Sequence, residues 1–120
     1  MSAAQTQTSG NDAEQLASTY LEQKGLRLIE KNYRTRYGEI DLIMNDGSEL
    51  VFVEVRLRRN TFFGGGAASV TEKKRLRIVA AAKQYLQSYA CSPACRFDVI
   101  ALDALNTQNI DWIRNAFDAT

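Results

Sequence analysis

The sequence predicts one α/β domain, a mixed sheet of about four strands flanked by two long helices. Three features point to it: apolar residues recur at helical spacing in two segments, several short segments alternate or run apolar as strands do, and a turn signal joins two of those strands. Residues 1–10 are small, polar and featureless and read as a disordered tail, leaving 11–120 as the domain. Asn11 with Glu14 three positions on makes a capping-box pattern that opens the first helix. Ala13, Leu16, Ala17, Tyr20 and Leu21 supply its buried stripe, and Gly25 closes it. Leu26 to Glu30 is a short strand candidate, followed by a basic, polar stretch from Lys31 to Arg36. Gly38 to Met44 and Leu50 to Leu57 are the next two strands, and the Asp-Gly of Asn45-Asp46-Gly47-Ser48 signals a two-residue hairpin turn between them. A loop from Arg58 to Ala68 holds Phe62, Phe63 and three consecutive glycines, Gly64 to Gly66, either a nucleic-acid wedge or a hinge with two core phenylalanines. Ser69 with Glu72 is a second capping box, opening a helix to about Tyr89 with Leu76, Val79, Ala82, Leu86 and Tyr89 facing inward. Pro93 breaks that helix, Arg96 to Leu102 is a further strand, and Ile110 to Phe117 is a short final strand or a helical turn.

Composition narrows the chemistry. A chain of 120 residues has room for one core that folds without metal or disulfide staples. Hydrophobic residues at 45% and charged residues at 24% are ordinary globular values, and no run approaches the roughly 18 apolar residues of a membrane span. The N-terminus lacks the basic and apolar regions of a signal peptide, so the cytoplasm is the expected compartment. Histidine is absent, which excludes serine–histidine and cysteine–histidine catalysis and imidazole-based zinc sites. Cys91 and Cys95 are too few for a disulfide scaffold and are expected to be reduced bystanders. Any chemistry must come from carboxylates, lysine, arginine, hydroxyls or a hard metal ion.

A net charge of +1 hides strong segregation. Between Arg56 and Lys83 lie eight basic residues and a single acid, Glu72, a local +7 that leaves −6 for the rest of the chain. Such a block is either a polyanion footprint or the solvated face of a loop and helix. The carboxylates favour the footprint. A two-residue turn at Asp46-Gly47 places Asp41 opposite Phe52 and Glu39 opposite Glu54, so one face carries Glu39, Asp41, Phe52, Glu54 and Arg56 while Ile40, Leu42, Val51, Val53 and Val55 occupy the other. Asp41 and Glu54 are then diagonal neighbours within reach of one ligand. The repulsion of acids on one face has to be offset by solvent, by an arginine or by a divalent ion. Paired Asp and Glu without imidazole form a hard-oxygen site suited to Mg²⁺ or Mn²⁺, and beside a basic block the natural chemistry is phosphodiester hydrolysis.

Gly38-Glu39-Ile40-Asp41-Leu42-Ile43, then Val51-Phe52-Val53-Glu54-Val55-Arg56, with the Ala13-Glu14 helix upstream and Arg96-Phe97-Asp98-Val99 late in the chain, resembles the YraN family of small bacterial proteins over about residues 11 to 117. That family is similar in turn to PD-(D/E)xK nucleases of the Holliday-junction resolvase type. The resemblance implies a restriction-endonuclease-like core and Mg²⁺- or Mn²⁺-dependent cleavage of DNA, branched DNA included. It implies metal ligation by Asp41, Glu54 and the carbonyl of Val55, and catalytic roles for Asp41, Glu54, Arg56 and Glu14. Glu14 also sits where a capping box wants it, and Glu39 reads as a supporting acid or a salt-bridge partner. Arg56 departs from the pattern, which has lysine there; arginine holds a phosphate but does not act as a base, and Lys74 is the lysine placed to reach in instead. Arg58, Arg59, Lys73, Lys74, Arg75 and Arg77 are the expected contacts to the nucleic-acid backbone. A two-fold junction would call for a homodimer, and a monomeric nicking enzyme fits equally well. Two other classes stay open: a nucleic-acid-binding module with a degenerate site, and a structural or protein-interaction domain.

Overall fold

The computed structural model of the protein describes residues 10–58, 70–103 and 108–119. Residues 1–9 of the tail expected over 1–10, Arg59, the Phe62-Phe63 loop with its glycines, and Ser69 lie outside the described residues, and Gly10 is already helical. The elements run α1 (Gly10–Gln23), β1 (Arg27–Arg34), β2 (Glu39–Asn45), β3 (Leu50–Arg58), α2 (Glu72–Leu86), β4 (Cys95–Asp103) and β5 (Ile110–Phe117). They build an α/β fold on one five-stranded sheet in the order β1-β2-β3-β4-β5, against an expectation of about four strands, because Ile110–Phe117 pairs as a full strand. β3 and β4 are parallel and the other neighbours antiparallel, which makes the sheet mixed. A parallel pair needs a long crossover, and α2 supplies it.

Each helix covers one face. Ala13, Ala17 and Leu21 of α1 pack with Leu42, Met44, Val51, Val53, Ile100 and Leu102. Ile78, Val79, Ala81 and Ala82 of α2 pack with Ile40, Ile43, Phe52, Phe97, Val99 and Phe117. With both faces covered, the central strands read as continuous apolar runs, as Val51-Phe52-Val53 does. Phe52, expected on the face of the acids, is 1% exposed in the α2-side core and stacks on Phe97 at 5.5 Å, which stacks on Phe117 at 5.1 Å.

The helix ends explain several differences from expectation. α1 opens at Gly10, so Asn11 lies inside its first turn instead of capping it. Gly25 does close it: at φ 101° it lets the Leu26 N–H reach the Leu21 carbonyl at 3.0 Å and its own N–H reach Glu22. Leu16 falls on the solvent side of α1. α2 is capped by Thr71, whose side chain accepts from the Lys74 N–H, two residues beyond the expected cap at Ser69. The buried stripe is Ile78, Val79, Ala81 and Ala82, which includes the expected Val79 and Ala82, while Leu76, expected inward, is 60% exposed. Tyr89, also expected inward, lies beyond the end of α2 and is exposed.

The β2–β3 hairpin closes through four residues, not two. Asn45 pairs with Leu50 and Ile43 with Phe52. Asp46 dictates the wider turn, because its carboxylate accepts from the N–H groups of Ser48 and Glu49 and from the Ser48 hydroxyl. Those backbone N–H groups hold its carboxyl well below the usual carboxylate range. Arg96 then grips Asp46, Glu49 and the buried Asp98 together. The register is two places from the expected one, and the ladder ends at Leu42–Val53 with Asp41 and Glu54 the next residues along the two strands. β2 also breaks its alternation: Ile40 joins the α2-side core while Leu42 and Met44 join the α1 side, a correction to the expectation that Ile40 and Leu42 share a face. β1 runs to Arg34, well past Glu30, and its Asn32 adopts φ 52° opposite that switch.

Gly38 fixes the hairpin to α2. A Cβ there would stand 2.3 Å from the Arg77 carbonyl oxygen, so only glycine admits this approach of helix to strand. Gly47, by contrast, needs its φ of 100° but has open space around it. Gly38→Ala is expected to lower stability by more than about 2 kcal/mol, since backbone must move, and Gly47→Ala by about 1 kcal/mol from left-handed strain alone. Denaturant melts of the two variants check this; equal losses would contradict the close approach.

Candidate active site

The β2–β3 ladder ends at Leu42–Val53, and the site begins there. The N–H of Val55 donates to Asp41 Oδ2 at 2.8 Å, so a side chain takes the place of the next ladder bond. This seats the Asp41 carboxylate beside Glu54, whose side chain is 3% exposed. Two cations meet Glu54 Oε2: Lys74 Nζ at 3.4 Å from the first turn of α2, and Arg56 Nη1 at 3.6 Å from β3 itself. Asp41, Glu54, Arg56 and Lys74, four residues expected at the site, are thus brought together. Lys74 is placed by its own helix cap, since its main-chain N–H is the one that Thr71 accepts.

Glu14 approaches from α1. Its carboxylate is hydrogen-bonded by the Asn32 side chain and lies near enough to Asp41 to feel its charge; it faces the sheet instead of reaching back to Asn11 as a capping box would have it. Burial, then the Asp41 charge, raises its pKa. Asn32 was missed by the sequence reading; an asparagine inside a strand, a residue tolerant of left-handed backbone, was the available signal. Glu39 pairs with Arg34 at 3.3 Å and, with Lys74, Arg77 and Ile78, lines a cavity of about 150 Å³.

The remaining basic residues divide. Lys73 and Arg77 are exposed on α2. Arg58 is held by Asp111 at 2.5 Å and by the Asn109 carbonyl, and Arg75 by the Val70 carbonyl with its guanidinium 5.5 Å from the centre of the Phe117 ring. Neither joins the cluster around Glu54. The larger cleft, about 430 Å³, lies between α2 and the chain end at Phe117 to Ala119, and of the expected site residues only Arg75 lines it.

Among the described residues, no group of three or more Asp, Glu, His or Cys side chains is arranged to hold a metal ion. A third oxygen for a divalent ion would have to come from the main chain. Val55 suits this, because its N–H is aimed at Asp41 and a strand residue sends its N–H and carbonyl to the same edge. Asp41, Glu54 and the Val55 carbonyl form an all-oxygen donor set of the kind that suits a hard divalent ion. The adverse electrostatics fit as well: burial and the Glu54 charge push the Asp41 carboxyl up to about 7, against the Val55 hydrogen bond and the Lys74 charge, and a cation would relieve that repulsion.

Fold and site together define an α/β protein with an acidic pair, a half-buried Asp41 and a buried Glu54, at the opening of a β-hairpin, flanked by a lysine and an arginine. The chain belongs to the uncharacterised protein family UPF0102, which matches residues 13–102. It is 52% identical over 113 residues to a UPF0102 protein of Nitrosomonas eutropha, covering 94% of this chain and 96% of that one. Relatives in Nitrosospira multiformis (50% over 109 residues, 91% and 92% covered) and Legionella pneumophila (51% over 116 residues, 95% and 98% covered) are similar along almost their whole length. Among the described residues, no helix is long and apolar enough to cross a membrane.

The raised Asp41 pKa has a consequence for stability. The folded state keeps a proton that the unfolded chain releases near the ordinary value of 3.8, so metal-free protein loses stability as pH rises from about 4 to about 7. A shift of that size corresponds to at most about 4 kcal/mol, which partial solvent access at Asp41 reduces to about 2. Asp41→Asn, which keeps an acceptor for the Val55 N–H, is expected to abolish that decline. Urea melts in EDTA at pH 5 and pH 8 check it: the variant should gain on the parent between the two.

Proposed function

We propose that the protein is a Mg²⁺- or Mn²⁺-dependent endonuclease that hydrolyses phosphodiester bonds in DNA, branched DNA included. The observation that carries this reading is the convergence of Lys74 and Arg56 on the one Glu54 oxygen beside Asp41. Asp41, Glu54 and the Val55 carbonyl are the residues to hold the ion. Bound there, it supplies Lewis-acid polarisation of a phosphoryl oxygen and a bound water of lowered pKa. The chain's own groups do the rest. Arg56 stays charged and pairs with a phosphoryl oxygen, which suits it to neutralising the charge that develops in the transition state. Lys74 occupies in space the place that the Glu-x-Lys pattern gives to a lysine on the strand, where an ammonium orients the attacking water or the scissile phosphate. Lys73 and Arg77, exposed on the same helix, are suited to backbone phosphates on either side. Glu14, close to Asp41 and hydrogen-bonded by Asn32, acts from α1 as a positioning residue.

The Arg56 substitution favours a second reading, a nucleic-acid-binding module whose hydrolytic site has decayed. One experiment separates the two. Labelled linear duplex, single-stranded and four-way-junction DNA are incubated with the protein in Mg²⁺ and in Mn²⁺, alongside Asp41→Ala, Glu54→Ala, Lys74→Ala and Arg56→Lys. The endonuclease reading expects cleavage that falls by about 100-fold or more in the first three variants and survives in Arg56→Lys. Cleavage undiminished in Asp41→Ala sinks the assignment of the site. Absence of cleavage by the parent, with salt-dependent binding that persists in Asp41→Ala, selects the binding module.

A further inference from the structure

The turn between β1 and β2 carries an aromatic ring that the core does not use. Tyr37 is 57% exposed, the most exposed aromatic side chain among the described residues. Its backbone is nonetheless firmly held. Thr35 Oγ1 accepts from the N–H groups of Tyr37 at 3.0 Å and Gly38 at 3.1 Å and donates to the Gly38 carbonyl at 3.0 Å, and the Thr35 N–H reaches that carbonyl at 2.8 Å. Gly38 is in turn pressed against the Arg77 carbonyl of α2, one helical turn from Lys74. An exposed ring on a braced turn, seated against the helix that delivers Lys74, is pre-organised to receive a flat ligand. Its surroundings are basic: the Arg36 guanidinium lies 5.5 Å from the ring centre, Arg36 and Arg77 are exposed, and Glu39, the acid beside them, is paired with Arg34.

We propose that Tyr37 is a stacking platform for an unpaired nucleobase on the turn that leads into β2 and its Asp41, with Arg36 holding an adjoining phosphate. The proposal rests on the endonuclease reading and names its substrate class: nucleic acid with unpaired bases beside the scissile bond, as in a single strand, a fork or a gap, in preference to continuous duplex. A paired base keeps its faces inside the helical stack, where one ring on a protruding turn does not reach them. An unpaired base offers a face, and because every base has one, recognition by stacking tolerates any sequence. A guanidinium beside the ring adds cation–π attraction and phosphate pairing.

Fluorescence anisotropy in EDTA tests this with a labelled mixed-sequence oligonucleotide presented as single-stranded DNA, single-stranded RNA and matched duplex DNA. Tyr37→Ala is expected to weaken single-strand binding by about 5- to 100-fold and to leave duplex binding within about two-fold, with Tyr37→Trp restoring single-strand affinity. The larger effect, on DNA or on RNA, identifies the nucleic acid. An equal loss on duplex and single strand, no loss on either single strand, or no binding of any probe by the parent overturns the proposal. A Tyr37 effect without hydrolysis in the cleavage assay would remove the endonuclease reading and leave the stacking site; hydrolysis without a Tyr37 effect would do the reverse.

Discussion

The hydrogen bond from the Val55 N–H to Asp41 is the joint on which the site depends. In an uninterrupted hairpin that donor would go to a carbonyl of β2, and the two strands would continue side by side to their ends. By accepting it through a side chain, Asp41 ends the ladder at Leu42–Val53 without orphaning a backbone group, which a buried sheet does not tolerate cheaply. The cost is electrostatic, since a carboxylate is now lodged against the buried Glu54 and its affinity for a proton rises. Burying Glu54 without partners would cost several kcal/mol. Lys74 and Arg56 offset that, and in doing so they define the cationic side of the site.

The helix α2 transmits this arrangement to the rest of the fold. Thr71 fixes where its first turn begins, Gly38 fixes how closely it lies on β2, and Ile78, Val79, Ala81 and Ala82 fix which face it turns to the sheet. At the other end of the hairpin, Arg96 joins the turn acids Asp46 and Glu49 to Asp98 in β4, and Asp98 in turn accepts from the Trp112 indole and the Asn115 N–H of β5. The buried Asp98 carboxylate ties β4 to β5, and Arg96 ties β4 to the β2–β3 turn, so the start of β3 is anchored against β4.

Legibility in the sequence followed the range of the interactions. The strand pair with its acids, the helix that crosses between β3 and β4, and the glycine that closes α1 were readable because each is set by neighbours along the chain. The hairpin register was not: Asp-Gly signals a tight turn, but the Asp46 side chain, held by Arg96 fifty positions on, stabilises a wider one. Leu76 fits the core by spacing alone, yet Val79 and Ala82 hold their expected inward places while Ile78 and Ala81 complete the stripe and Leu76 faces solvent. Glu14 matched a capping box, yet its carboxylate is used by Asn32 across the fold. Arg58 and Arg75 counted as footprint in a charge sum, and their partners Asp111 and Val70 could be found only in three dimensions. Tyr37 was passed over because an exposed aromatic is not distinguishable from a core one until the turn that carries it is seen.

The position of Lys74 bears on how a departure from a sequence pattern should be judged. A Glu-x-Lys motif specifies a lysine by its distance along a strand, but phosphate chemistry specifies a cation by its distance from a carboxylate. Here the strand position holds arginine and a lysine eighteen residues later reaches the same oxygen, with 3.4 Å and 3.6 Å separating the two cations from Glu54 Oε2. Their roles are not equivalent. The guanidinium is planar, permanently charged and carried on the strand that also bears Glu54, which suits it to a fixed contact. The ammonium is a compact charge on a flexible stem, delivered by the first turn of a helix instead of by the strand. Loss of the lysine from the strand therefore does not imply loss of the chemistry, and the balance between the two cations around Glu54 becomes the property that the protein's activity should be most sensitive to.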